Sequence, residues 1–237
     1  MRIQLINPNT SLEMTQAMQH SAMQIAHTDT QIIACCPHIQ DSVSSIEGHY
    51  DEAIAAVATL NLVQQGRDQN VDGHIIACFG DPARHAAREL AVAPVIGIAE
   101  AAFQVASLLS TKFTIVTTLS RTKIIAEHLL HEYGFAHKCA RIRCIDLPVL
   151  LLEQDEQRCY AELLSNCLAA KHDDGIGAIV LGCGGMAKMA TRLSQEIDLP
   201  VIDGVSAAVK ILEGLSGLGL KTSKWGDYAA PHHRDLR

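Results

Sequence analysis

Two cysteines and the residues around them stand out as groups that could do chemistry. "HIIACFGDPA" (His74–Ala83) and "AIVLGCGGMA" (Ala178–Ala187) each run from strand-forming apolar residues into a cysteine, then glycine, then a helix-forming stretch. Two equivalent Brønsted groups on opposite sides of one carbon invert its configuration: one removes a proton while the other delivers a proton to the far face. Such a pair at Cys78 and Cys183 needs one thiolate and one thiol, with no metal and no organic cofactor. An ordinary cysteine, with a pKa near 8.5, is only about 3% thiolate at pH 7. Helix-like segments follow both cysteines, Asp81–Ala91 and Met186–Glu196, and a helix N-terminus favours an anion. Gly80, Gly184 and Gly185 let backbone N–H groups approach a substrate and face the charge developing on an enolate. The reacting carbon must then lie beside a carbonyl.

The elements that would position these groups are legible as alternating strand and helix patterns. Strands are expected near Ile3–Asn7, Gln31–Cys35, His74–Cys78 and Val95–Gly97, and again near Phe113–Thr117, Ala140–Cys144, Ala178–Gly182 and Val201–Asp203. Helical patterns fall between them, among them Leu12–His27, Glu52–Gln65, Ser120–Tyr133 and Gln154–His172. This cadence predicts an α/β fold with parallel, doubly wound sheets and right-handed crossovers. The two sets also match in order. "APVIGIAEAA" (Ala93–Ala102) mirrors "LPVIDGVSAA" (Leu199–Ala208), and "LINPNTS" (Leu5–Ser11) stands opposite "IVTTLSR" (Ile115–Arg121), at nearly the spacing that separates the two cysteines. An internal duplication follows, with two similar lobes about a pseudo-twofold axis. Ligands of open parallel sheets bind beyond the carboxyl ends of the strands. Both cysteines, the Asn7–Ser11 loop and Thr117-Thr118 sit at such ends, so one cleft between the lobes is expected to hold the site.

Composition narrows the classes of partner. The 237 residues carry a formal net charge of −7, which disfavours nucleic acid and anionic membrane and leaves a small-molecule substrate. The apolar run before Asn7-Pro8-Asn9 is too short for a signal-peptide core, and no run reaches transmembrane length. A cytoplasmic protein with its eight cysteines reduced is expected. No Cys-x-x-Cys occurs, and Cys35, Cys36, Cys139, Cys144, Cys159 and Cys167 follow no zinc-ligand spacing, so no metal site is expected and these six are read as small buried hydrophobes. His232-His233 is read as a solvated tail. The apolar helix Glu100–Leu109 offers a face for self-association, making a homo-oligomer the expectation.

Several stretches together resemble a known family. "NPNTS", "SIEGHYDEA" (Ser45–Ala53), "ACFGDP", "VTTLSRT", "LGCGGMA" and "GLKTSKWGDY" resemble, in order and through almost the whole chain, the hydantoin racemase branch of the aspartate/glutamate racemase superfamily, to which allantoin racemases also belong. The resemblance implies a cofactor-independent racemase acting at C5 of a hydantoin ring, with Cys78 and Cys183 as the acid/base pair. It implies a pocket lined by Asn9, Ser45, Ile46, Phe79, Gly80, Thr117, Thr118, Gly184 and Gly185. It further implies that the C-terminal helix returns to the first lobe, giving lobes of 1–97 plus 210–237 and 98–209. Glutamate and aspartate racemases typically carry Asn-Thr after the first cysteine and Thr after the second, where they hold a carboxylate. Phe79-Gly80 and Gly184-Gly185 instead suit a neutral ring. Arylmalonate decarboxylases use one such cysteine, whereas this chain has both.

Other readings of the same residues stay open at this level. Cys78 and Cys183 could be core fillers. Asn9 and Thr10 could shape a turn and cap the helix at Leu12, and Glu47 and Asp81 could be capping or solvated residues. "GCGGMA" (Gly182–Ala187) formally satisfies a dinucleotide-binding fingerprint, with Asp203 where a ribose-binding acid would stand. A two-lobed binding or redox-sensing protein, an amino-acid racemase and a cis–trans isomerase of diacids are the alternatives in function.

Overall fold

The computed structural model describes residues 1–231, so His232 and His233 lie outside the described residues. The first half of the chain runs β1 (Arg2–Ile6), α1 (Leu12–Ile25), β2 (Gln31–Cys35), α2 (His49–Asp68), β3 (Gly73–Ile76), α3 (Arg84–Leu90), β4 (Val95–Gly97) and α4 (Ile98–Leu109). The second runs β5 (Phe113–Thr117), α5 (Lys123–Glu132), β6 (Cys139–Cys144), α6 (Leu151–Gln154), α7 (Glu156–Asp173), β7 (Ala178–Leu181), α8 (Ala190–Ile197), β8 (Val201–Ile202) and α9 (Gly204–Gly217). Each half builds one four-stranded sheet, and the orders β2-β1-β3-β4 and β6-β5-β7-β8 are the same. All strand pairs are parallel, so the α/β class and the repeated lobe are both present.

Central strands read as continuous apolar runs because both of their faces are covered. All five residues of β5 and all four of β3 and β7 are buried. The edge strands β2 and β6 carry the exposed polar residues, such as Gln31 and Arg141. Alternation along each strand then divides the core in three. Ile3, Leu5 and Ile75 of the first sheet, with Phe113, Ile115 and Val180 of the second, share one central cluster with α1, α4 and α9. Ile6 and Ile76 face the outer helices α2 and α3, and Val116, Ile179 and Leu181 face α7 and α8.

Two helices tie the lobes together. α4 leaves β4 yet packs on β7 and β8 as well as on α9, and α9 leaves β8 yet packs on α1, β3 and β4. Phe103 of α4 meets Phe79 edge-on with ring centroids 5.6 Å apart and stacks on Phe113 at 5.7 Å. The apolar face of α4 is thus consumed inside the molecule and is not the self-association face expected of it; only Leu108 and Leu109 at its end are exposed. The six other cysteines also divide. Cys159 and Cys167 are core residues, but Cys35, Cys36, Cys139 and Cys144 are only half-buried, because β2, its following loop and β6 lie at sheet edges. Among the described residues no helix is long and apolar enough to cross a membrane.

Candidate active site

Each sheet delivers one cysteine by the same device. Beyond β3 the N–H of Ala77 donates to Ile6 O at 2.7 Å, and beyond β7 the N–H of Gly182 donates to Val116 O at 2.8 Å. The ladder therefore continues one residue past each strand and releases Cys78 and Cys183 at equivalent points. Both line one cavity between the lobes. The two turns pack directly on each other: a Cβ added at Gly184 would fall 2.9 Å from Ala77 O and 2.6 Å from Met18 Sδ. That close approach explains why glycine follows Cys183.

Of the residues assigned to the pocket by resemblance, Asn9, Ile46, Phe79, Gly80, Thr117, Thr118 and Gly184 line the cavity. Ser45 does not, since the wall there is formed by its neighbour Ile46, whose side chain takes the cleft-facing place in that loop. Gly185 does not either: its position packs on Leu152 and Met14, and its N–H is turned to the Cys183 sulfur. The N–H of Gly80 is likewise spent on Cys78. Two of the three glycines expected to aim N–H groups at an enolate instead hold the sulfurs.

The β1–α1 loop is a network of amides. Asn7 Nδ2 donates to Asn9 Oδ1 at 2.8 Å and to Thr15 Oγ1 at 2.9 Å, and Asn9 Oδ1 also accepts from the Ser11 N–H at 2.9 Å. Asn9 thus shapes the turn and lines the pocket, leaving its Nδ2 with only the Met14 sulfur at 3.5 Å. The cap of α1 is Ser11, which accepts from the Met14 N–H, and not Asn9 or Thr10. Thr117 Oγ1 donates to Gly182 O at 3.0 Å, binding the two loop ends of the second sheet.

Residues that the sequence did not single out as site residues complete the wall: Asn7, Met14, Glu52, Thr122, Ile125, Ala126 and Val149. They come from helix faces and loops of both lobes. Their spacing is that of ordinary amphipathic helices, so only the packing of one lobe on the other reveals them. Carbon dominates the lining, with Glu52 its one carboxylate. Glu47 lies just outside and crosses the lobe boundary, its Oε1 accepting from the Val149 N–H at 3.0 Å. Asp81 is a structural cap: its carboxylate accepts from the N–H groups of Ala99 and Glu100, at 3.1 and 2.9 Å, and from the Tyr133 hydroxyl at 2.8 Å.

Electrostatics correct the expectation of acidified thiols. Burial pushes Cys78 up to about 12, against the help of the Gly80 N–H, and Cys183, Asp81 and Glu52 push the same way as burial. Burial pushes Cys183 up to about 11, eased by the Gly185 N–H, with Glu153 and Glu47 adding to the rise. Cys183 does precede a helical segment, the 3-10 turn Gly184–Met189 that leads into α8. No helix starts at Cys78, because the chain first turns through Asp81 and Ala83, at φ of 45° and 60°, before α3 begins. Desolvation of a buried anion outweighs one or two N–H donors.

The "GCGGMA" turn is committed to packing. A Cβ at Gly182 would meet Thr117 Cβ at 2.6 Å, and Asp203 caps α9 by accepting from the Ser206 N–H at 2.8 Å. Among the described residues no group of three or more His, Cys, Asp or Glu side chains could hold a metal ion. What the cavity can do is hold a compact molecule, with polar groups of Asn7, Asn9, Thr117, Thr118, Thr122 and Glu52 on its wall and a thiol at each of two strand ends.

Known proteins share this fold. Residues 3–212 match the family model of Asp/Glu/hydantoin racemases. A hydantoin racemase of Rhizobium meliloti is 48% identical over 98% of this chain and 95% of its own length. The structure of an allantoin racemase from Klebsiella pneumoniae superposes with a TM-score of 0.97 at 57% identity, covering 100% of this chain and 96% of that one. An allantoin racemase from Pseudomonas fluorescens gives 0.94 at 35% identity, with both chains fully covered. The chain belongs to the Asp/Glu/hydantoin racemase family, within its hydantoin and allantoin racemase branch.

Proposed function

We propose that this racemase inverts C5 of 5-monosubstituted hydantoins, allantoin among them, by proton transfer between Cys78 and Cys183 through an enolate-like intermediate. The observation that carries the proposal is the delivery of two thiols to one cavity by matched strand ends. One thiolate removes the C5 proton and the opposite thiol protonates the other face; the reverse reaction exchanges the roles. In this reading Asn9 Nδ2 and the Thr118 hydroxyl, both on the cavity wall, hold the ring carbonyls. With thiols at about 11 and 12, the thiolate is scarce at neutral pH. Hydantoins suit such a site because C5–H beside a carbonyl is already acidified and the ring is neutral, so no carboxylate adds its charge to the cleft. We assign residues 1–97 and 210–231 to one lobe and 98–209 to the other, in keeping with α9 lying on β3 and β4. A cytoplasmic homo-oligomer is part of the same reading, with exposed Leu108 and Trp225 as apolar surface for the contact.

The test is to incubate each enantiomer of allantoin and of 5-alkyl and 5-arylalkyl hydantoins in D2O, following optical rotation and deuterium at C5. Loss of rotation with deuterium entry is expected. Inertness toward every ring, with turnover of free amino acids or diacids, would move the chain to another substrate class.

A further inference from the structure

Glu52 stands apart from the rest of the cavity wall. It rises from the first turn of α2, is the one carboxylate among lining residues that are otherwise apolar or neutral, and borders a second, more open groove beyond Gly80. Its two oxygens are differently engaged. Oε2 faces His49 Nδ1 at 3.7 Å. Oε1 lies over Gly80, where an added Cβ would come within 3.4 Å of it, with the Ile125 methyl close behind. A carboxylate placed there is close enough to Cys78 to disfavour its thiolate, so it opposes proton abstraction. It is also half-desolvated, its side chain only 28% exposed. His49 and His128 meet part of this charge from the side of Oε2, which leaves Oε1, over Gly80, to a partner in the bound substrate.

An ionised carboxylate is an acceptor only and pairs best with two parallel N–H donors. The hydantoin ring spends its carbonyls on donors, and its C5 must lie between the sulfurs, so the substituent at C5 is the part that can reach a wall beside Cys78. We propose that Glu52 selects hydantoins whose C5 substituent presents paired N–H donors, a ureido group above all. This inference rests on the hydantoin racemase function proposed above and names its preferred substrate class. A ureido group puts its inner N–H and one terminal N–H side by side, matching Oε1 and Oε2, while staying neutral and flat between Gly80 and Ile125. An alkyl group of the same shape leaves the carboxylate facing carbon, which costs the site its desolvated hydrogen bonds.

5-Isobutylhydantoin is the shape match for allantoin, with CH2–CH(CH3)2 in place of NH–CO–NH2, and 5-(4-aminobutyl)hydantoin supplies a cation in place of neutral donors. The value of kcat/KM for all three is measured with the intact wild-type protein, Glu52→Gln and Glu52→Leu. Wild type is expected to prefer allantoin to both others. Glu52→Leu is expected to lower the allantoin-to-isobutyl ratio by about 10- to 100-fold, and Glu52→Gln, which keeps one acceptor, by less. A ratio unchanged within about twofold, as when Glu52 acts only on Cys78 and moves every substrate alike, would overturn the inference. So would a wild-type preference for the isobutyl or aminobutyl ring. Inertness of the wild type toward all three is a different result: it would remove the proposed racemase function itself, and with it this selection.

Discussion

Cys78 and Cys183 leave equivalent strands by equivalent hydrogen bonds, and then their surroundings diverge. Cys183 begins a 3-10 turn that runs into α8, and the glycine after it is wedged against Ala77 O and Met18. Cys78 is followed by a left-handed turn at Asp81 and Ala83, and Gly80 beside it has room, its nearest neighbour being Glu52 at 3.4 Å from the Cβ position. The turn after Cys183 is therefore tightly seated, whereas the turn after Cys78 borders the open groove through Gly80 and Asp81. Acidic groups also differ: Asp81 and Glu52 stand near Cys78, Glu47 and Glu153 near Cys183. Duplication preserved the placement of the sulfur and left each lobe to set its own electrostatics.

If both thiols react, removing either is the largest perturbation. Cys78→Ser and Cys183→Ser are each expected to lose racemisation by about 10²- to 10⁴-fold, while each keeps deuterium exchange into one enantiomer only, and not the same one. Chiral chromatography with mass detection of C5 deuterium checks this. Full racemisation by either variant would reduce the pair to one essential thiol.

The next effect is that of pH. Both thiols sit above their ordinary value, so the thiolate base is scarce at neutral pH and grows tenfold with each pH unit below its pKa. Between pH 7 and 9, kcat/KM is expected to rise about 100-fold. A flat profile would mean that substrate binding brings the thiol down before the proton moves, which is a sharper role for the bound ring than the free site implies.

A smaller contrast separates the two glycine turns. Gly184→Ala places a methyl against backbone at 2.9 Å, which cannot yield as a flexible side chain would, so the lobes must part. A loss of about 1–3 kcal/mol in stability is expected, together with a fall in kcat. Gly80→Ala meets only Glu52 and Ile125 side chains and should change stability by less than about 1 kcal/mol. Urea unfolding of the two variants decides it, and equal losses would refute the asymmetry in packing.

Much of this arrangement is legible in the sequence. Strands declare themselves because buried parallel strands are short, apolar and bounded by glycine and proline, and every expected strand end falls within a residue or two of its place. The matched strand-end positions of the two cysteines are legible because duplication repeats their context. Glu52 and Ile125 are not legible, since a cleft-facing residue on a helix has the same local pattern as one facing solvent or core, and Val149 is not because it lies in the turn before α6. The turn at Ala83 was equally hidden: alanine gives no signal for a positive φ of 60°, so a helix start at Asp81 looked natural where α3 begins at Arg84. The fate of α4 was misjudged for a related reason. Its apolar face says that it is covered, not by what, and the cover is the other lobe and α9.

The finest expected difference lies between the thiols themselves. Cys183, whose surroundings raise it less than those of Cys78 raise that thiol, should be alkylated by iodoacetamide at pH 8 faster than Cys78, as peptide mapping over time would show. The neighbours can then be used to move the gap in both directions. Glu153 is buried beside Cys183 with Oε2 held by Lys188 at 3.3 Å and Oε1 without a partner. Its charge raises the Cys183 thiol, so Glu153→Gln should favour the thiolate and widen the gap by about threefold. Glu52→Gln, acting on Cys78, should narrow it by a similar factor. Opposite responses at the two sulfurs are what two separate electrostatic environments require. If both variants instead shift both cysteines together, the thiols share one proton equilibrium across the cleft, and the pair rather than either residue holds the titrating proton.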